Sequence, residues 1–243
     1  MTSIQLSISS TRLGQLTWRA LIALSLGNAL ALGLIHYGGI TDGWGVVTLL
    51  HFDREQNLPT LFSVLLLLGA SGLAVRQASV QPDQAVLRTG WRIVATVLAL
   101  MAIDEFASVH ERVDAAMRYY LGTDFLPYAA WPIPYVLGLA ALGATLWRWL
   151  LALDRWQALA LMIAGTIYLG GAVGMEFIAG EYLTHIDPHH AGVTDLRRDL
   201  LATLEETLEM TGLILLIQAL VKTPRQADET GMSGKKNGTA SLV

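Results

Sequence analysis

Two groups of acids stand in apolar surroundings where acids are costly. One is Asp104-Glu105-Phe-Ala-Ser108-Val-His110-Glu111-Arg112, and the other is Glu205-Glu206-Thr-Leu-Glu209. Carboxylate with imidazole suits zinc, manganese or iron, and a metal-bound water becomes a nucleophile near neutral pH. The same groups could instead pass protons. Asp104, Glu105 and Ser108 are the candidates for acid, base or nucleophile. His110, Glu111, Glu205, Glu206 and Glu209 are candidate ligands for a divalent metal (zinc, iron or manganese). Glu176, Glu181 and His185 extend the set, because Glu181 and His185 share a face if the helix continues. The run His185-Ile-Asp-Pro-His189-His190 follows, and Pro188 argues that it is a loop. For each group the competing reading is structural pairing, with Arg112, Arg197 or Arg198 as the cations.

Several chemistries are excluded at once. The chain has no cysteine, so it has no catalytic thiol, thiolate metal site or disulfide. No lysine lies within a span, which rules out a retinal-type Schiff base. Neither a glycine-rich phosphate loop nor His-Glu-x-x-His is present. Glu-x-x-His, which di-metal bundle sites use in pairs, is absent as well.

The elements that position these residues follow from composition. Of 243 residues, 53% are hydrophobic and 15% charged, with mean hydropathy +0.47. Soluble domains carry about 25% charged residues. Disorder and a collagen repeat are excluded. So is a strongly basic nucleic-acid binder, with 16 Lys and Arg against 20 Asp and Glu. The fold class is therefore all-α: a polytopic membrane protein with a bundle of about six transmembrane helices. The segments are roughly 18–37, 58–76, 91–110, 131–152, 157–180 and 200–221, each near the ~20 residues that cross a bilayer. Residues 1–222 form one six-helix transmembrane domain. Residues 223–243 are polar and read as a disordered cytoplasmic tail. Ala29-Leu30-Ala31 resembles a signal-peptide cleavage site, but the apolar stretch runs on to Ile35, long enough to span.

With the N-terminus inside, eleven of the 16 Lys and Arg fall on the cytoplasmic side. Both termini are then cytoplasmic, in a multi-pass protein of a bacterial inner membrane. All six histidines fall on the outer side, with every acid except Asp83, Asp154, Asp228 and Glu229. Asp104 lies about 10 Å below the outer surface, and Glu205 to Glu209 lie roughly 7–14 Å in. A continuous third helix would put Asp104, Ser108 and Glu111 on one face, with His110 beside it. Such faces avoid lipid, since a charge at mid-bilayer costs roughly 3 kcal/mol or more. Gly165, Gly170, Gly171 and Gly174 read as a close-packing stripe. Tyr119, Tyr120, Tyr128, Trp131 and Tyr135 read as an interfacial aromatic belt. Residues 40–52 are too short to span and would lie at the interface or re-enter, carrying His51 and Asp53 toward the site.

The stretch Asp104-Glu105-x4-His110-Glu111, with Glu205-Glu206-x2-Glu209, resembles uncharacterised bacterial multi-span membrane proteins. That resemblance implies no activity. Asp104, Ser108, His110 and His185-x3-His189 can also be laid on the Ser, Asp and three His of the alkaline ceramidase superfamily. The proline inside His185-x3-His189, a span count one short and unmatched flanking motifs set this chain apart from it.

The function these residues imply is a metal-dependent membrane enzyme, a hydrolase or oxidase. It would act on a lipid-like or amphiphilic substrate at a site facing the periplasm. Its partners would be membrane lipids and possible further membrane subunits, with no nucleic acid. The alternatives are a non-catalytic subunit or assembly factor of a membrane complex, and a proton- or cation-coupled transporter.

Overall fold

A computed structural model describes residues 10–81, 83–122, 130–184 and 195–221. Among them there are helices and no strand. The helices are α1 (Ser10–His36), α2 (Val46–Leu50), α3 (Leu58–Ser79), α4 (Ala85–Ala107), α5 (Val109–Leu121), α6 (Pro132–Ala152), α7 (Arg155–Leu169), α8 (Glu176–Thr184) and α9 (Leu196–Val221). A π-helical segment, Gly170–Met175, joins α7 to α8 as one rod.

Five rods are long and apolar enough to cross a membrane: within α1, α3, α4 and α6, and Arg155–Tyr182. The sixth expected segment is the 26-residue α9. At 1.5 Å per residue it would reach about 39 Å, but Asp199, Glu205, Glu206 and Glu209 load its first 14 residues with charge. By length and composition, the described residues thus hold five candidate spans where six were expected.

Local chemistry sets the ends of these rods. Asn57 caps α3, its side chain accepting the Thr60 N–H at 3.1 Å, with Pro59 in the first turn. The Asp154 carboxylate accepts the Trp156 N–H and starts α7. Pro132 opens α6, where its missing N–H costs nothing.

α9 is the centre of the bundle and packs on α1, α3, α7 and the π segment. Its buried positions Met210, Leu213, Ile214, Ile217 and Leu220 recur at helical spacing. Opposite them lie Leu66, Leu67 and Ala70 of α3. In a bilayer this contact is held by close packing and dispersion, since lipid tails are as apolar as leucine. The approach of α7 to α9 is very close. A methyl on Gly212 would stand 2.7 Å from Tyr168 N, and one on Gly171 would stand 2.8 Å from Glu205 O. The expected glycine stripe is thus confined to Gly171, joined by Gly212 from the other helix. At Gly165 and Gly170 a methyl would meet nothing within 4 Å.

One expectation fails at Ser108. The third helix does not run to residue 110 but stops at Ala107, and Ser108 takes a left-handed conformation with φ 47°. A new helix, α5, starts at Val109. The common face expected for Asp104, Ser108 and Glu111 therefore does not form.

Candidate functional site

The break at Ser108 ends α4, starts α5 and sets His110 against Asp104. His110 Nδ1 stands 3.4 Å from Asp104 Oδ2. The Tyr135 hydroxyl on α6 donates to Asp104 Oδ1 at 2.9 Å. Trp131 packs against the His110 ring at a centroid distance of 5.3 Å and edge-on to Tyr135 at 5.1 Å. Burial works against a charge on His110, but the Asp104 carboxylate outweighs it and raises the imidazole above its ordinary pKa.

The start of α6 is tied to α5 through Asp114. Its carboxylate accepts the Trp131 N–H at 3.2 Å, the Ala130 N–H, and the Arg118 guanidinium at 2.7 Å. Burial pushes Asp114 up, but these donors together hold it below the usual carboxylate range. The segment before α3 adds two acids. Burial raises Asp53 despite Arg198 Nη2 at 3.3 Å. Burial also raises Glu55, against the pull of the His110 charge and a hydrogen bond with Ser108.

These residues line one cavity of about 750 Å³ between α4, α6, the α7–α8 rod and α9. Ten carboxylates border it: Asp53, Glu55, Asp104, Glu105, Glu111, Asp114, Glu176, Glu205, Glu206 and Glu209. The cationic side chains on its wall are Arg198 and His110, and both face carboxylates already named. Tyr168 hydrogen-bonds Glu209, and Trp131 hydrogen-bonds Glu176. The rest of the wall is apolar, with Val97 and Met101 from α4, Leu139 and Leu142 from α6, and Leu169 and Val173 from the α7 rod.

The acids expected from the sequence thus meet. Asp104, Glu105, His110, Glu111, Glu176, Glu205, Glu206 and Glu209 all border one space. Ser108 is buried, is not part of the wall, and serves as the left-handed hinge with its hydroxyl on Glu55. Glu181 is exposed on α8 and stands away from the cavity. His185, His189, His190 and Tyr128 lie outside the described residues. Trp131 and Tyr135 leave the expected belt and become cavity wall, whereas Tyr119 and Tyr120 are exposed. Glu55 and Tyr168 were not anticipated: the neighbours of Glu55 in sequence give no sign of depth, and Tyr168 stood in an apolar run with nothing to mark it as facing acids. Asp114, expected beside the Asp104 face, borders the cavity.

The donor set is mostly carboxylate oxygen with one imidazole, which fits a hard or borderline divalent cation. Among the described residues, no three His, Asp or Glu converge closely enough to hold one.

A second polar knot lies beside the cavity. Asp199 takes His36 Nε2 at 2.6 Å and His51 Nε2 at 3.8 Å. His51 Nδ1 accepts the Asp53 N–H at 3.1 Å, which places the ring proton on the nitrogen facing Asp199. Asn28 donates to Thr203 at 2.8 Å and accepts the Phe52 N–H at 2.9 Å. The segment 40–52 thus carries α2 against α1, with Val47 fully buried on Ala31 and Ile35. Of the two residues it was expected to carry to the site, Asp53 borders the cavity, whereas His51 stands on Asp199 beside it.

The chain belongs to a family described as a domain of unknown function, DUF8692, whose model matches residues 16–223. No curated protein and no solved structure matches it.

Proposed function

We propose that this chain is an enzyme of a bacterial inner membrane acting on a lipid-like or amphiphilic substrate from the outer side. The reading takes α9 as a sixth span, both termini as cytoplasmic and residues 223–243 as a tail. The observation that carries it is the mixed wall of the cavity, ten carboxylates alongside apolar side chains from α4, α6 and the α7 rod. A polar head and an apolar body would be accommodated together there, as pockets of 300–1,000 Å³ accommodate small ligands. The Asp104–His110 pair is the proton-transfer element, with Tyr135 fixing the far side of the carboxylate. His110 is exposed enough to reach a substrate atom, and Asp104 holds its ring in place.

A divalent zinc, manganese or iron ion would have to draw Glu105, Glu205, Glu206 and Glu209 closer than they stand here; bound so, it would offset the crowded carboxylates and supply Lewis-acid or redox chemistry. A carrier would need acids continuing toward the inner side. The lining ends near mid-helix, at Val97, Leu142, Leu169 and Glu209, with no acid within a helix below that level among the described residues, which favours a one-sided chamber.

The test is elemental mass spectrometry on detergent-purified protein beside an Asp104→Asn/Glu209→Gln double variant. Near-stoichiometric metal that is lost in the variant is the expected result. No metal in either sample, after purification without chelators, overturns the metal-dependent reading.

A further inference from the structure

We infer that the chamber binds a primary ammonium group carried on an apolar chain. The inference rests on the reading of the cavity as a ligand chamber and adds the chemical class of the ligand's head. It does not need a metal.

Charge comes first. Of the ten carboxylates on the wall, three have a cationic partner: Asp104 with His110, Asp53 with Arg198 and Asp114 with Arg118. The other seven have none among the described residues. Neutral donors reach three of those seven. Ser108 hydrogen-bonds Glu55, Trp131 hydrogen-bonds Glu176 and Tyr168 hydrogen-bonds Glu209. Glu105 of α4 and Glu205 and Glu206 of α9 are half-buried on the wall, and among the described residues no donor reaches their carboxylates. Glu105 and Glu206 stand close enough for like charges to repel. Carboxylates so placed are costly without a donor or a counter-charge. The complementary ligand is therefore positive and donates hydrogen bonds.

Spacing and neighbours narrow the cation. A bare divalent ion needs several oxygens at about 2.0–2.6 Å, and no three acids of the described residues converge to hold one. A primary ammonium asks for less. It has three N–H donors, each reaching an oxygen at about 2.8 Å, so acids that stand apart can share it. A quaternary ammonium carries the charge but no donor. The apolar stem has its place in the same wall. Met101 lies one helical turn from Glu105, and Ala172 and Val173 come from the rod packed on α9. Apolar side chains thus stand beside the acids, as an alkyl chain next to its ammonium requires.

The test is isothermal titration of the full chain in zwitterionic nanodiscs with octylamine, octyltrimethylammonium or octanol. Protein-free nanodiscs, titrated alike, give the partitioning to subtract. At pH 7 the amine is protonated, since an alkylamine resembles lysine with its pKa of about 10.4.

The expected result is saturable octylamine binding, about tenfold tighter than octyltrimethylammonium, with no saturable octanol binding. Glu105→Gln and Glu206→Gln should each weaken octylamine about tenfold. Glu206→Asp keeps the charge and should weaken it much less, which keeps the test decisive where a glutamine variant fails to fold. Asp83→Asn, at an exposed position away from the cavity, should change nothing. Octanol as tight as octylamine, the trimethyl probe as tight as the amine, or octylamine indifferent to both glutamine variants overturns the inference. Metal bound and lost as described above, with no saturable amine binding, sinks the inference and leaves the metal reading standing. Amine binding with that pattern in metal-free protein supports the inference and removes the metal. Neither amine nor metal bound sinks both.

Discussion

At the residue scale the decisive contact is Asp104 with His110. Because that carboxylate raises His110, the imidazole holds its proton to higher pH than a free histidine. The sign then follows. The stabilisation is complete below the unfolded-state value near 6.5 and is lost as pH rises through the higher folded value. Asp104→Asn removes the raising carboxylate and leaves burial, which should bring the His110 titration midpoint down, read by NMR on ring-labelled histidine. An unchanged midpoint would show that another acid carries the effect. The pair itself was half legible in the sequence. Asp104, Glu105, His110 and Glu111 stood out as polar residues in an apolar run. Their meeting was not legible, because a left-handed Ser108 has no composition signal of the kind glycine gives.

At the element scale two features carry consequences. Ser108 is the hinge between α4 and α5, so Ser108→Gly should keep the turn and relieve an unfavourable φ. The expected outcome is an equal or slightly higher melting temperature with cavity binding intact. Loss of cavity binding in a folded Ser108→Gly protein would return the hydroxyl to the site. The α7–α9 contact is the other feature. Gly171→Ala and Gly212→Ala each push a methyl into backbone atoms under 3 Å away, and should cost about 1–3 kcal/mol. Gly165→Ala meets nothing and should be neutral or slightly stabilising. Thermal unfolding in detergent separates the three. Glycine frequency had pointed to the right helix but to four positions. Which of them touch depends on how α9 is rotated, and no local spacing encodes that.

At the scale of the whole molecule, the arrangement is an acid-bordered chamber on one side of an apolar bundle. Orientation can be checked directly, because the chain has no cysteine of its own. Trp44 is fully exposed at the tip between α1 and α2. A single Trp44→Cys should react with a membrane-impermeant maleimide in spheroplasts. Asp154→Cys, at the turn between α6 and α7, should react only after lysis. The reverse pattern would invert the topology and move the chamber to the cytoplasmic side. The helical class and five of the six expected segments were readable because hydropathy acts through length and the cost of charge in lipid. The order of helices around α9 was not, since it is settled by packing between residues far apart in the chain.

The π-helical segment has a further consequence for register. Tyr168, Ala172 and Glu176 all border the cavity, as do Leu169 and Val173, a repeat of four. On an ordinary α-helix each step of four drifts about 40°, so Glu176 would stand about 80° away from Tyr168. A π turn holds more residues than an α turn, and the slower winding of Gly170–Met175 keeps that row straight. The extra residue thus works as a phase spacer, setting the inner tyrosine and the outer glutamate on one line. Rewinding 170–175 to ordinary α pitch with no residue lost would swing Glu176 about 80° off that row. The pitch of this segment is therefore as much a part of the site as any of its side chains.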